Sequence, residues 1–390
     1  MATAETPSET PADAKSDPGL SRGRAIAFGI LIAVISFPLG YAVLQVVQYS
    51  IEWVWVDFPR DASEPLVWVL ALGLPTLAGV LVAWFRQHGN DGHNPMLGIA
   101  ITPLSGRDYV AVIGAILATL IGGMVLGPEV AMVSTGAVVG TAIATRAGMT
   151  VKQGATIGAS AAVLALFAGP IINGTFSTAS TYRFDVKDLV GAVGVAAVTA
   201  AVLTAGRFLS IGILKLHGGD RPKTSILAIS GFLVGALGLG YYLTTGHELA
   251  LIMTSGESET KALLALSSAG AIAVTVAFKW LAYSISMGGG FRGGPFFPAI
   301  YIGAGIAAVT TSLTPDYAQG AMAAGITAAV VYLAHPKWLF TVVLGIVLGM
   351  LAGGPQLIPI AVVAALVAKL LPEVKATTKP TGDVRVTEAR

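Results

Sequence analysis

The chain has 390 residues, of which 54% are hydrophobic and 11% are charged, and its formal net charge is +2. Soluble globular proteins carry about 25% charged residues, so this composition predicts a polytopic membrane protein. The small net charge gives no indication of nucleic-acid binding. The sequence contains no cysteine, which excludes disulfides, thiolate metal sites and cysteine nucleophiles, and neither a metal nor a cofactor is expected.

Apolar segments recur along most of the chain. Residues 1–22 are polar and predict a disordered N-terminal tail that lacks the apolar core of a signal peptide. Trp53 and Trp55 are expected to anchor the first apolar segment at a membrane interface. The apolar segments are residues 24–57, 65–85, 108–126, 130–146, 154–168, 186–206, 224–245, 261–287, 297–313, 319–334, 337–352 and 356–371. Several are shorter than the roughly 20 residues that span a bilayer, which predicts helices that end inside the membrane. Residues 373–390 predict a disordered C-terminal tail.

One local pattern occurs in both halves of the chain. Gly127-Pro128 and Gly294-Pro295 are each followed, nine residues after the glycine, by a Gly-Ala pair. Residues 24–206 and 224–371 are therefore predicted to form two related transmembrane repeats. Paired apolar segments with Gly and Pro interruptions at matching positions indicate a binding site between the repeats, near the middle of the membrane.

Glu129 follows the first Gly-Pro pair and is the only acidic residue between Tyr109 and Phe184. A helix that begins at Gly-Pro leaves its first N–H groups unpaired, and the aligned peptide dipoles place partial positive charge there. Such an end binds an anion, and weakly enough to release it. We therefore predict that the Glu129 carboxylate competes with a permeant anion, closing the path when deprotonated and opening it when protonated or displaced. The alternative is a carboxylate that pairs with a base or caps a helix.

Two motifs resemble those of a known family. Residues 123–131 (GMVLGPEVA) are similar to a G-M-V-L-G-R-E-G-P segment whose Glu is an external gate, and residues 294–298 (GPFFP) match a G-x-F-x-P motif. Both of these family motifs are typical of the CLC family of chloride channels and chloride/proton antiporters. Residues 356–371 also resemble the penultimate helix of that family. The resemblance covers about residues 24–371. It implies an all-α polytopic membrane protein with a CLC-like inverted repeat of tilted and broken helices, and a homodimer with one pore per subunit.

Several positions depart from the family pattern. The Arg and the second Gly-Pro of the first motif are replaced in this chain. The family's Ser that touches the central anion falls on Gly92, so backbone amides, His93 or Asn94 are the expected donors there. The family's inner glutamate, which hands protons to the cytoplasm in antiporters, falls near residues 179–180, where the sequence has no carboxylate. The final helix with the pore tyrosine is expected to be missing, because the chain turns polar after Leu371.

These features predict chloride transport that is channel-like or uncoupled, because the outer acid is present and the usual inner acid is not. The alternatives are a chloride/proton antiporter, with protons as a second partner, and selectivity for fluoride, nitrate or bicarbonate. No second catalytic group lies near Glu129, so an enzyme is not expected. The expected location is the lipid bilayer of a bacterial inner membrane. The predicted gate is Glu129, and the predicted anion-binding residues are Gly92, His93, Asn94, Gly127, Pro128, Val130, Ala131, Gly294, Phe296 and Phe297.

Further residues near the predicted site allow two interpretations each. Lys279 lies in an apolar segment and is either a pore-side charge or a side chain that snorkels to the interface. Arg292 either attracts anions to a pore mouth or contacts lipid headgroups. Tyr301 either offers its hydroxyl to the path or simply packs. The Gly/Ala-rich segments 191–206 and 228–240 suit close helix packing, for which the dimer seam is one location.

Overall fold

The computed structural model of the chain describes residues 21–89, 94–97, 101–167, 183–217, 219, 222–314, 320–378 and 384–388. These residues are mostly helical. In chain order the helices are α1 (Arg22–Glu52), α2 (Phe58–Asp61), α3 (Glu64–His88), α4 (Gly106–Ile121), α5 (Glu129–Ala147), α6 (Val151–Leu164), α7 (Asp188–Leu216), α8 (Thr224–Thr245), α9 (Thr260–Leu264), α10 (Ala269–Gly288), α11 (Phe296–Leu313), α12 (Ala321–Ala334), α13 (Trp338–Gly353) and α14 (Ile358–Leu370). Short 3₁₀ segments occupy Pro95–Leu97, Ala165–Phe167, Leu249–Leu251 and Pro355–Leu357, and a π-helical turn, Trp53–Asp57, joins α1 to α2.

Within the described residues, seven helical stretches are long and apolar enough to cross a bilayer. They are Arg22–Asp61, Glu64–His88, Glu129–Ala147, Asp188–Leu216, Thr224–Thr245, Ala269–Gly288 and Phe296–Leu313. Shorter apolar stretches, Ala321–Ala334, Trp338–Gly353 and Pro355–Leu370, fall below the roughly 20 residues that a span needs. The predicted polytopic, all-α architecture with short and broken helices is therefore confirmed.

Helix boundaries follow local signals in the sequence. The apolar segment expected at residues 261–287 is divided into α9 and α10, because Ser268 caps α10 by accepting a hydrogen bond from Ala271 N at 3.1 Å. Helix α5 ends at Ala147 and is followed by Gly148, whose φ of 69° is a left-handed conformation that glycine adopts without strain. A polar cap and a glycine thus limit these two helices within an otherwise apolar region.

Matching glycine contacts pack the helix pairs of the two halves. In the first half, α5 lies so close to α6 that a Cβ at Gly136 would collide with the carbonyl of Gly158. In the second half, α11 and α12 approach in the same way at Gly303 and Gly325. Backbones can come this close because glycine has no side chain. The same packing motif therefore recurs at equivalent positions of the sequence repeat.

The glycine face of α8 packs inside the subunit. Residues 228–240 lie on this helix, and a Cβ at Gly231 would collide with the carbonyl of Pro75 on α3. The close helix packing expected of this segment is therefore made with α3 of the same chain. Other side chains of α8 are exposed, among them Phe232, which remains 47% accessible.

The two tryptophans after α1 lie in different environments. Trp53 is 55% exposed, whereas Trp55 is 1% exposed and donates Nε1–H to the carbonyl of Ile121 at 2.9 Å. The prediction of an interfacial anchor is wrong for Trp55, because its ring packs against Gly123 in the protein interior. Trp55 therefore supports the connection that leads from α4 to α5.

A short β-hairpin follows the last helix. Strands β1 (Val374–Thr378) and β2 (Val384–Glu388) pair antiparallel where the sequence predicted a disordered tail. Arg207 on α7, itself buried, donates a hydrogen bond to the carbonyl of Val374 at 2.6 Å. This contact ties the beginning of the hairpin to the helical body.

Candidate functional site

The two Gly-Pro turns meet in the protein interior. Gly127 N donates to the carbonyl of Gly294 at 2.6 Å, and Gly294 N donates to the carbonyl of Gly127 at 2.7 Å, which forms an isolated antiparallel bridge. Backbone groups at membrane depth need such partners, because the hydrocarbon core offers no water. The bridge brings the beginning of α5 and the beginning of α11 to one place.

Each of these helices begins directly after its proline. Pro128 and Pro295 precede the helices with φ of −76° and −88°, and α5 and α11 begin at Glu129 and Phe296, 167 residues apart. Proline is well tolerated here because the first N–H groups of a helix have no partner within the helix. The electropositive ends of two helices therefore converge on one buried position.

The Glu129 carboxylate occupies this position. Its Oε1 accepts hydrogen bonds from Phe296 N at 3.1 Å and from Phe297 N at 2.9 Å, so a side chain of α5 caps the beginning of α11. Glu129 is only 4% exposed, and its Oε2 has no hydrogen-bond partner in the part of the chain that the structure describes. The carboxylate is an anion held by helix N–H groups, which is how such an end would also hold a free anion.

Both glycines of the bridge leave room for this carboxylate. A Cβ at Gly294 or at Gly127 would overlap the position of Glu129 Oε2. Neither glycine has a positive φ, so close approach and not backbone conformation requires the missing side chain. Any substitution at either glycine must therefore displace the carboxylate or the turn.

Helix α10 supports both turns with polar side chains. The Tyr283 hydroxyl donates to the carbonyl of Pro295 at 2.9 Å, and the Ser286 hydroxyl accepts from Val125 N at 3.1 Å. Tyr283 and Ser286 are both buried, at 1% and 0% exposure. One helix thus fixes the chain just before α11 and just before α5.

The first predicted group of anion ligands is only partly described. Gly92 and His93 lie outside the described residues. Asn94 is 2% exposed, and its Oδ1 accepts a hydrogen bond from Met96 N at 2.8 Å. This oxygen therefore stabilises the 3₁₀ turn that begins at Pro95.

Of the backbone amides after Pro128 that were predicted to bind an anion, one already donates a hydrogen bond within the protein. Ala131 N donates to the carbonyl of Pro128 at 2.9 Å, which leaves this N–H unavailable to a free anion in this state. Val130 and Ala131 are both buried, at 1% and 0% exposure. The two predicted amides that do hold an anionic group are those of Phe296 and Phe297.

Lys279 is fully buried next to this region. Its Nζ donates to the carbonyl of Met253 at 3.0 Å and lies 4.7 Å from the centre of the Tyr301 ring. The snorkelling interpretation is therefore wrong, because the ammonium group ends inside the protein. Arg292 is also buried, at 1% exposure, which excludes the headgroup contact. Tyr301 packs its ring under the ammonium group.

Two acidic residues near the site were not identified from the sequence. Glu257 accepts a hydrogen bond from Gln48 Nε2 at 2.8 Å, and Glu259 is 6% exposed. They belong to a connection that reaches the approach to α5, where Thr254 N donates to the carbonyl of Gly123 at 3.1 Å. The available signal was a pair of acids between two apolar segments, but the sequence does not reveal their proximity to Glu129.

Comparisons with known proteins agree with this architecture. No family model matches the chain. A protein named "Putative ion-transport protein YfeO" from Salmonella schwarzengrund (strain CVM19633) is 24% identical over 327 residues, which cover 71% of this chain and 78% of the relative. The protein of the same name from Salmonella typhimurium is 23% identical over the same length.

Solved structures share the fold. A slow cyanobacterial Cl⁻/H⁺ antiporter aligns with a TM-score of 0.71 and 15% identity over 89% of this chain and 93% of that chain. A CLC-type fluoride/proton antiporter aligns with a TM-score of 0.62 and 15% identity over 90% and 96% of the two chains. A eukaryotic CLC transporter aligns with a TM-score of 0.60 and 14% identity over 89% and 71%. The chain therefore has the CLC fold, and the resemblance noted in its motifs is confirmed.

Proposed function

We propose that this protein carries chloride across a membrane and that Glu129 is the gate. The observation that supports the proposal most directly is the position of the Glu129 carboxylate on the amides of Phe296 and Phe297. A carboxylate held by helix N–H groups occupies a place that suits a small anion. Among the described residues, the hydrogen bonds to the carboxylate come from backbone N–H groups, which carry only partial charges, so an anion that replaces the carboxylate can also leave.

The gating step is an exchange of one anion for another. When the carboxylate is ionised, it remains on the two amides and blocks the position. Protonation makes it a weaker acceptor, because hydrogen bonds to an ionised oxygen are roughly twice as strong as neutral ones. The neutral side chain then releases the amides, and chloride binds in its place. Transport should therefore increase as pH falls.

We propose the uncoupled mode first, because residues 179–180, the expected place of an inner acid, carry no carboxylate. Chloride/proton antiport is the second candidate. The buried acid Glu259 and the partly exposed acid Glu257 favour it, because a proton path needs protonatable groups beside the gate. Two of the solved structures that share the fold are named antiporters, which is the mode of this second candidate.

Chloride efflux from proteoliposomes tests the gate. Glu129→Gln and Glu129→Ala should each raise efflux at neutral pH and flatten its dependence on pH, because neither side chain can present an ionised carboxylate. Glu64→Gln, a matched change at an exposed residue of α3, should leave both unchanged. Unaltered efflux and pH response in both Glu129 variants would contradict the gate.

Two further measurements test mode and selectivity. A chloride gradient should drive no proton uptake into liposomes if transport is uncoupled, and a fixed stoichiometric uptake if it is antiport. Parallel efflux with fluoride, nitrate and bicarbonate tests the proposed preference for chloride. We further propose a homodimer in the bacterial inner membrane, which the mass of the detergent-solubilised protein and membrane fractionation of its native host can test.

A further inference from the structure

The segment Met253–Glu259 lies across both structural elements that hold Glu129. At one end, Thr254 N donates to the carbonyl of Gly123, just before the first Gly-Pro turn. Further along, Gly256 packs against the ring of Tyr301 on α11, one turn after the amides that hold the gate. The segment therefore contacts the approach to α5 and the first turns of α11 at the same time.

This segment is tightly held and locally strained. Lys279 Nζ donates to the carbonyl of Met253 at 3.0 Å. Thr254 has a φ of 71°, which is unusual for a β-branched residue and persists only where surrounding contacts enforce it. Its fully buried hydroxyl faces the Glu259 carboxylate without a well-formed hydrogen bond. Such strain is typical of functional positions, and the two acids follow Thr254 within five residues.

Glu257 differs from Glu129 in its access to water. It is partly exposed and held by Gln48 on α1, whereas Glu129 is only 4% exposed. The segment that carries Glu257 contacts the approach to Glu129 at Gly123 and the first turns of α11 at Tyr301. A buried acid exchanges its proton with solvent slowly unless a protonatable neighbour or a water connects it to the surface.

On this geometry we propose that Glu257 is the residue through which Glu129 gains and loses its proton, with Gln48 as its positioning residue. The inference rests on the proposed gate. A proton leaves the Glu257 carboxyl and binds Glu129 Oε2, the oxygen that accepts no hydrogen bond in the described residues. Glu257 is left as a carboxylate and takes a new proton from bulk water.

The charge environment of Glu257 suits this role. The pKa of Glu257 is raised from 4.5 to about 8, and burial is the main cause. Repulsion from Glu129 and Glu259 raises this pKa further, whereas the hydrogen bond from Gln48 lowers it. An acid with a pKa near neutrality can both hold and release a proton under ordinary conditions. Within the described residues, the other titratable groups around the segment include Glu52 on α1, Tyr241 on α8, Lys279 on α10 and Tyr301 on α11.

The test is the speed at which the gate responds to acid. In the chloride-efflux assay, rapid mixing with acidic buffer lowers the pH of the proteoliposome suspension from about 7.5 to about 5. Acids of raised pKa change charge in this range. In Glu257→Gln, the lag that precedes the rise in efflux should be at least about tenfold longer, as expected when a positioned acid is lost. Its final rate should equal that of the unmodified protein. Glu257→Asp should restore a short lag.

The controls separate this inference from the gate itself. Glu248→Gln, at a side chain that is 59% exposed, should not lengthen the lag. Gln48→Leu should lengthen it to a smaller extent, because Glu257 remains but loses its partner. Glu129→Gln should abolish the pH response. The inference is overturned if Glu257→Gln responds without added lag while Glu129→Gln loses its response, and the gate and the inference fail together if Glu129→Gln responds normally.

Discussion

Gly127 and Gly294 bond to each other through both of their backbone amides, at 2.6 and 2.7 Å, and the Glu129 carboxylate lies against both glycines. Through this bridge, the turn that carries the carboxylate is joined to the turn that provides its hydrogen-bond donors. A shift in either turn must therefore change the fit of the carboxylate on the amides of α11.

A side chain at the bridge should open the gate. Gly294→Ala places a methyl group at the position of Glu129 Oε2, so the carboxylate must leave its amides. We expect chloride efflux at neutral pH to rise several-fold and to depend less on pH. Gly240→Ala is the control, because no atom lies within 4 Å of its added Cβ. A folded Gly294→Ala protein with normal efflux and normal pH dependence would contradict the proposed blocking position.

The amide of Phe297 can be removed separately from its side chain. Phe297→Pro deletes the N–H that holds Glu129 Oε1 at 2.9 Å, and proline is tolerated in the first turn of a helix. Phe297→Ala is the matched control, because it deletes the ring and keeps the N–H. Hydrogen bonds to charged groups contribute about 1.5–3 kcal/mol, so the carboxylate should be held roughly tenfold or more weakly in the proline variant.

Two quantities measured in the liposome assay check this prediction, the chloride leak and the chloride concentration that gives half-maximal transport. Phe297→Pro should leak more chloride at neutral pH than Phe297→Ala, because its gate is held by one amide. It should also need more chloride for half-maximal transport, because the anion uses the same donors. Equal behaviour of the two variants would mean that this N–H holds neither the carboxylate nor chloride.

The region of the proposed gate could be predicted from the sequence because its determinants are local. A Gly-Pro pair before an apolar helix, repeated in the second half of the chain, indicates two helix ends whose N–H groups need partners. A lone acid directly after the first pair has few roles other than to occupy such an end. The repeat also indicates that the two ends meet, and the Gly127–Gly294 bridge gives the contact between them.

The surroundings of the gate could not be predicted in the same way. Gln48 and Glu257 are 209 residues apart, and only the packing of α1 against the segment Met253–Glu259 brings them together. The same holds for Trp55, whose burial depends on the missing side chain of Gly123. Tryptophan near the end of an apolar helix is typical of interfaces, and the tertiary contact overrides that tendency.

Removal of the buried ammonium group should destabilise the fold. Lys279→Met leaves the carbonyl of Met253 buried without its donor, and an unsatisfied buried group costs about 1–3 kcal/mol. Glu259 also loses a neighbouring positive charge. We expect the Tm in detergent to fall by several degrees. Lys215→Met, at an exposed position of α7, is the control, and equal Tm values for the two variants would show that Lys279 has no structural role.

Stability should depend on pH through Glu257. Because its pKa is 4.5 in the unfolded chain and about 8 in the folded protein, the folded state binds more protons between these values. The stabilising contribution is therefore fully present below about pH 4.5 and is lost as pH rises through about 8. We expect the Tm of the unmodified protein to fall by a few degrees across this interval, an effect that partial exposure of the side chain keeps modest. Glu257→Gln cannot ionise and should show a smaller fall, whereas Glu248→Gln should follow the unmodified protein; parallel Tm curves for all three would contradict the raised pKa.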